Sequence, residues 1–158
     1  MQINKDDIRK YSLLESKTMA VEIEGLDGIL DTLDGVVNTT TMEQSMGRAC
    51  AVVEAAAKTK APKDTGQLRN SIKSKVEAGG GEIVGVIYTP LEYAPYVEYG
   101  TGLFAENGGR SDVPWNYQDD KGNWHKTRGQ KPQPFLRPAL DENQDKIIEI
   151  LGEGLLND

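Results

Sequence analysis

The sequence predicts an α+β fold: a small antiparallel sheet packed with two main helices, plus a long loop-and-hairpin excursion. Three observations predict it. Apolar residues recur at helical spacing over residues 40–60 and again over 137–155. Two strand-like runs, Ile72–Ala78 and Glu82–Thr89, flank Gly79-Gly80-Gly81, a loose hairpin connection. Residues 103–131 lack either period and carry Gly, Asp and Asn between isolated aromatics, which suits a loop-rich excursion.

The elements follow in order. Residues 1–18 are polar and mixed in charge, the composition of a flexible arm or short docking segment, ahead of a single domain over 19–158. Met19–Gly25 alternates apolar and acidic residues, as a short strand does. Leu26, Ile29, Leu30 and Leu33 have helical spacing, weakened by Gly28 and stopped near Gly35. Thr40 and Glu43 fit a capping box, and behind them Met42, Met46, Ala49, Cys50, Val53, Ala56 and Ala57 share one face. Pro62 disfavours helix at Ala61 and ends this one by Lys60. Asp64-Thr65-Gly66 is a turn into one helical turn at Gln67–Ser71, which Asp64 or Thr65 can cap. Tyr93–Tyr99 suits a short helix ended by Gly100-Thr101-Gly102. Within the excursion, Pro114–Gln118 and Asn123–Thr127 can pair across Asp119-Asp120-Lys121-Gly122. A last helix runs from about Arg137 to Leu155, its apolar side formed by Leu140, Ile147, Ile148, Leu151, Leu155 and Leu156.

Composition excludes several functions. The 158 residues are 37% hydrophobic with a net charge of -7, which argues against a DNA-wrapping surface. Cys50 is the one cysteine and His125 the one histidine, too few for a disulfide framework or the usual zinc site. No apolar run reaches the length of a membrane span, and no signal-peptide pattern opens the chain; the expectation is a protein made in a reducing cytoplasm, with no membrane partner. Gly100-Thr101-Gly102 lacks the spacing of a phosphate loop, and Asp119 and Asp120 lack that of an EF-hand. No cofactor is expected.

Asp64-Thr65-Gly66 is the one tripeptide that suggests catalysis, because aspartic proteases pair two such carboxylates and a small chain can supply the pair by dimerising. Its flanks here are polar and helical, which favours a plain turn. A soluble adaptor or immunity-type protein binding one partner is the other rival. Charge is uneven: residues 61–75 carry Lys63, Arg69, Lys73 and Lys75 against Asp64 alone, whereas residues 139–158 carry six acids and one base. Such blocks are solvated faces or complementary surfaces that set register between subunits. Tyr93, Tyr96, Tyr99, Phe104, Trp115, Trp124 and Phe135 place most aromatics in the second half, as core or as interface anchors.

Three motifs carry a family resemblance: Ala61-Pro62-Lys63-Asp64-Thr65-Gly66-Gln67-Leu68-Arg69-Asn70-Ser71-Ile72, Tyr93-Ala94-Pro95-Tyr96-Val97-Glu98-Tyr99-Gly100-Thr101-Gly102 and Pro132-Gln133-Pro134-Phe135-Leu136-Arg137-Pro138-Ala139. In this order they resemble the tail-completion or head–tail joining proteins of tailed bacteriophages, also called minor tail components. Val21–Asp27 is similar to the usual family start, and residues 1–18 precede it as a specialised arm or an upstream start. The resemblance implies a non-enzymatic virion protein of the neck, assembled in the bacterial host cytoplasm. It implies a hexameric ring between the head connector or adaptor and the tail terminator or tail tube, with DNA passing the lumen without specific binding. The residues expected at interfaces are Lys63, Asp64, Arg69, Tyr96, Glu98, Tyr99, Phe104, Trp115, Trp124, Phe135 and Arg137.

Overall fold

A 22-residue helix, α1 (Thr39–Lys60), lies against both a sheet and the C-terminal helices. The computed structural model describes residues 10–14, 18–23, 39–64, 66–79, 82–106, 108–119 and 121–156; the helix expected over 26–35 falls outside them. The chain divides into two compact units, one of residues 1–91 with 135–158 and one of residues 92–134.

The first unit holds a four-stranded antiparallel sheet, β1 (Lys10–Leu14), β2 (Thr18–Ile23), β3 (Lys73–Gly79) and β4 (Glu82–Thr89), in the order β1-β2-β4-β3. The strands Met19–Gly25, Ile72–Ala78 and Glu82–Thr89 read from the sequence correspond to β2, β3 and β4. β1 lies within the segment read as an arm and pairs Lys10 with Glu22 and Leu14 with Thr18. β3 and β4 form a hairpin whose last pair is Gly79 with Glu82.

The central strand β4 is buried along most of its length, as its position between β2 and β3 requires. The register sets Ile23 opposite Gly85 and Val21 opposite Ile87, so these residues share the face on which α1 lies. Gly85 permits that approach: a Cβ there would collide with the Cys50 sulfur and sit 2.8 Å from Met46 Sδ. α1 buries Met42, Ser45, Met46, Ala49, Cys50, Val53 and Ala57. Each fully buried Met or Ile of this core contributes ~1.5–3 kcal/mol relative to exposure. Ser74 Oγ on β3 donates to Glu54 Oε2 at 2.6 Å, and Lys58 Nζ donates to Glu54 Oε1 at 2.5 Å. Burial raises the Glu54 carboxyl, yet these two hydrogen bonds hold it below its ordinary value.

Four local expectations need correction. α1 begins at Thr39, so Thr40 and Glu43 lie inside its first turns rather than at N-cap and N3. The short helix α2 (Gln67–Ser71) is entered through Gly66 at φ 75, so a left-handed residue turns the chain where Asp64 was expected to cap it; Thr65, the other expected cap, lies outside the described residues. The single helix over 137–155 is two, α4 (Leu136–Asp141) and α5 (Gln144–Leu156). Asn143 makes the break, because its side-chain amide donates to the Ala139 carbonyl at 2.8 Å while its backbone N–H turns to Leu140 at 3.1 Å. The buried face continues across the break through Leu140, Gln144, Ile147 and Leu151, and Ile150 is buried while Ile148 is only half-buried. α5 crosses α1 where Gly154 meets Ser45, with room for no Cβ: one would sit 2.9 Å from the serine's own.

Gly85→Ala should lower unfolding stability by about 1–3 kcal/mol, because the added methyl overpacks the α1 contact. Gly47→Ala on α1, where a Cβ meets nothing within 4 Å, should raise it by about 0.5–1 kcal/mol. Urea titration of both variants reads the opposite signs. Burial, with the Glu54 charge next in weight, pushes the Cys50 thiol up to about 12. In native protein Cys50 should therefore resist a thiol reagent at neutral pH and react at once after denaturation, which a colorimetric thiol assay follows.

Candidate assembly interface

The second unit, residues 92–134, is built around a backbone clamp. Its helix α3 (Ala94–Tyr99) has Pro95 in the first turn, where a missing N–H costs nothing, and ends at Gly100 with φ 76. The chain beyond is tied to the exit of the excursion at four backbone N–H groups. Gln133 donates to Val97 at 2.8 Å, Thr101 to Gln130 at 2.9 Å, and Leu103 to Arg128 at 3.0 Å. Gln130 N–H returns a bond to Thr101 Oγ1 at 2.9 Å.

The clamp explains the two glycines of Gly100-Thr101-Gly102. A Cβ on Gly100 would lie 2.8 Å from the carbonyl oxygens of Gln130 and Phe104. One on Gly102 would lie 2.8 Å from Trp115 Cζ3. The Trp115 ring therefore lies on bare backbone, and the Arg110 guanidinium sits 5.3 Å from its centroid on a fork to Asp112 at 2.6 and 2.7 Å.

The hairpin read from the sequence is present as β5 (Trp115–Gln118) and β6 (Trp124–Thr127), pairing Trp115 with Thr127 and Gln118 with Trp124. Asp119 organises its turn by accepting from Lys121 N–H at 2.9 Å, Asn123 N–H at 2.8 Å and Asn123 Nδ2 at 3.1 Å. Asp119 Oδ2 lies 2.8 Å from His125 Nε2, and the His125 ring stacks on Tyr117 at 5.3 Å. The hydrogen bonds, that from His125 first, hold the Asp119 carboxyl down at about 2.

The large exposed hydrophobic residues among the described residues are Tyr93, Tyr96, Leu103, Phe104, Tyr117 and Trp124, and every one belongs to this unit. Tyr96 is 61% and Trp124 71% exposed. That concentration makes this unit the candidate interaction surface among the described residues. Of the residues expected at interfaces, Tyr96, Glu98, Tyr99, Phe104, Trp115 and Trp124 lie in this unit, and Lys63, Asp64, Arg69, Phe135 and Arg137 in the other. Lys63, Asp64 and Arg69 are exposed, and Tyr99, Trp115 and Arg137 are half-buried. Phe135 and Glu98 are fully buried, so no partner can touch them in this state; Phe135 is a core side chain beside Leu136. Sequence reasoning left Tyr93, Leu103 and Tyr117 out of the interface residues, though it weighed Tyr93 among the aromatics that are core or anchor. The alternation of Leu103 and Tyr117 with clamped or paired neighbours emerges only once the clamp and hairpin are in place.

Among the described residues no cluster of His, Cys, Asp and Glu can hold a metal ion, and no helix is long and apolar enough to cross a membrane. Because the folded-state value of Asp119 lies below its ordinary 3.8, its contribution to the turn is present above that value and lost as pH falls through about 2. Asp119→Ala should remove it at every pH. Faster amide exchange at Lys121 and Asn123, with the Trp115 environment unchanged, is the expected NMR result.

No curated protein and no solved structure matches the chain significantly. Residues 28–100 match a family model, HK97-gp10-like, described as "Bacteriophage HK97-gp10, putative tail-component". The matched stretch takes in α1, the first motif whole and the second as far as Gly100, and stops before the excursion. Over residues 28–100, which hold the first motif and most of the second, the chain is similar to a family described as a tail component of bacteriophages.

Proposed function

We propose that the chain is a structural subunit of the phage neck, forming a hexameric ring around the DNA channel between the head connector and the tail terminator or tail tube. The observation that carries this reading is the gathering of exposed aromatic and apolar side chains on one small unit held by backbone hydrogen bonds. A unit whose backbone is tied by hydrogen bonds and whose aromatics are exposed suits a part that fits against copies and neighbours. The family match to a phage tail component supports it.

The remaining surface fits the same role. The net charge of -7 favours a lumen that repels the DNA backbone and lets it slide. Asp64 is exposed in a bend leading to the left-handed Gly66, a turn whose work is to aim α2. A protease dyad needs that carboxylate held against its twin, and this setting favours the structural reading.

Electron microscopy of tailed particles, with an affinity label on this chain, tests the proposal. Label density in a closed ring at the neck is the expected result. Intact particles without the chain, together with a soluble monomer at all concentrations, would overturn it in favour of an adaptor.

A further inference from the structure

Positive charge is gathered on one short strip of the second unit, which the ring reading does not by itself require. Residues 121–134 carry Lys121, Lys126, Arg128 and Lys131 and no acid. All four are exposed, and none is paired with a carboxylate among the described residues. Trp124, the most exposed of the large hydrophobics, stands in the same stretch. Most other lysines and arginines of the described residues do have a carboxylate partner, as Lys58, Lys60, Lys146 and Arg48 show. This strip is thus a cationic surface with an aromatic anchor.

The unit formed by residues 1–91 and 135–158 has the opposite character, with nineteen acids against thirteen bases. Its helix α5 presents Asp145 and Glu149 on the solvent side, with half-buried Ile148 and Leu155 on the same stripe. Gly152 falls between those two apolar residues, and a Cβ there would meet nothing within 4 Å. The stripe therefore has an apolar notch edged by carboxylates. An indole fills such a notch while neighbouring lysines and arginines meet the edge. Glu149 and Glu153 hold Lys146 and Arg48 in exposed pairs worth only ~0–1 kcal/mol, so their exchange for a partner's cations costs little.

We propose that β6 and its exit, led by Trp124 with Lys126 and Arg128, dock into the Gly152 notch of α5 on a second copy of the chain. The two surfaces differ, so the contact is head-to-tail and each copy both gives and receives one. The proposal rests on the ring reading and adds to it the contact that closes the ring.

A photo-crosslinking amino acid at position 124 of the full chain, in assembled particles, tests the contact. The expected product is a covalent dimer whose linked peptide lies within residues 141–156. A crosslink to DNA, to a different protein or elsewhere on the chain, or no crosslink, overturns it. Gly152→Arg fills the notch and reverses its charge at a site with open space, so thermal unfolding should be unchanged while ring-bearing particles fall at least ~10-fold. Full assembly of that variant also overturns the docking. Microscopy of the same wild-type particles separates the two failures. A ring present without the α5 crosslink removes this contact alone, and a neck without a ring removes the reading beneath it.

Discussion

The close approach of α1 to β4 and α5 is the constraint on which the first unit depends. A helix can lie on a sheet only where the side chains between them leave room. Here the room comes from Gly85 under Met46 and Cys50, and from Gly154 against Ser45. Ala49, Val53 and Ala57 continue the thin face, so one helix reaches both the strands and the C-terminal helices. The sheet contributes Ile23, Val21 and Ile87 from aligned positions on two strands, and α4 adds Leu136, Ala139 and Leu140. A bulkier residue at either glycine would push α1 off one neighbour and so disturb its seat on the other.

The second unit achieves order by different means. Its apolar side chains are largely outside, so hydrophobic burial holds less of it together. Backbone hydrogen bonds between 97–103 and 128–133 and the Asp119 turn fix both ends of the excursion. Conformational entropy is lost to these bonds before any partner arrives. Aromatic anchors held this way meet a partner with little further ordering. Gly100, Gly102 and Trp115 serve this arrangement directly, which gives the second motif a physical reason for its glycines.

Much of this was legible in the sequence where the signals were local. α1 was readable because five turns of apolar spacing end before Pro62, and β3–β4 because two strand-like runs flank glycines. The β5–β6 hairpin followed from Asp119-Asp120-Lys121-Gly122 between aromatic runs. What escaped depended on competition or distance. The amide of Asn143 takes the Ala139 carbonyl from the helix ladder, and spacing alone does not register that trade. Ser45 looked polar and proved buried, because its partner Gly154 is remote in the chain. The clamp joins Thr101 to Gln130 across the whole excursion, a pairing that no local pattern announces. Phe135 could be core or interface from its type alone, and packing beside α4 decided for the core.

The burial of Cys50 has a practical consequence for testing assembly. The native chain presents no accessible thiol of its own, since its single cysteine lies sealed beneath Gly85. A cysteine introduced on the surface would then be the sole attachment point for a fluorophore or spin label, with no background and no need to strip the natural residue. Mixtures of donor- and acceptor-labelled chains would then show, in solution and in real time, whether copies come together and at what distance.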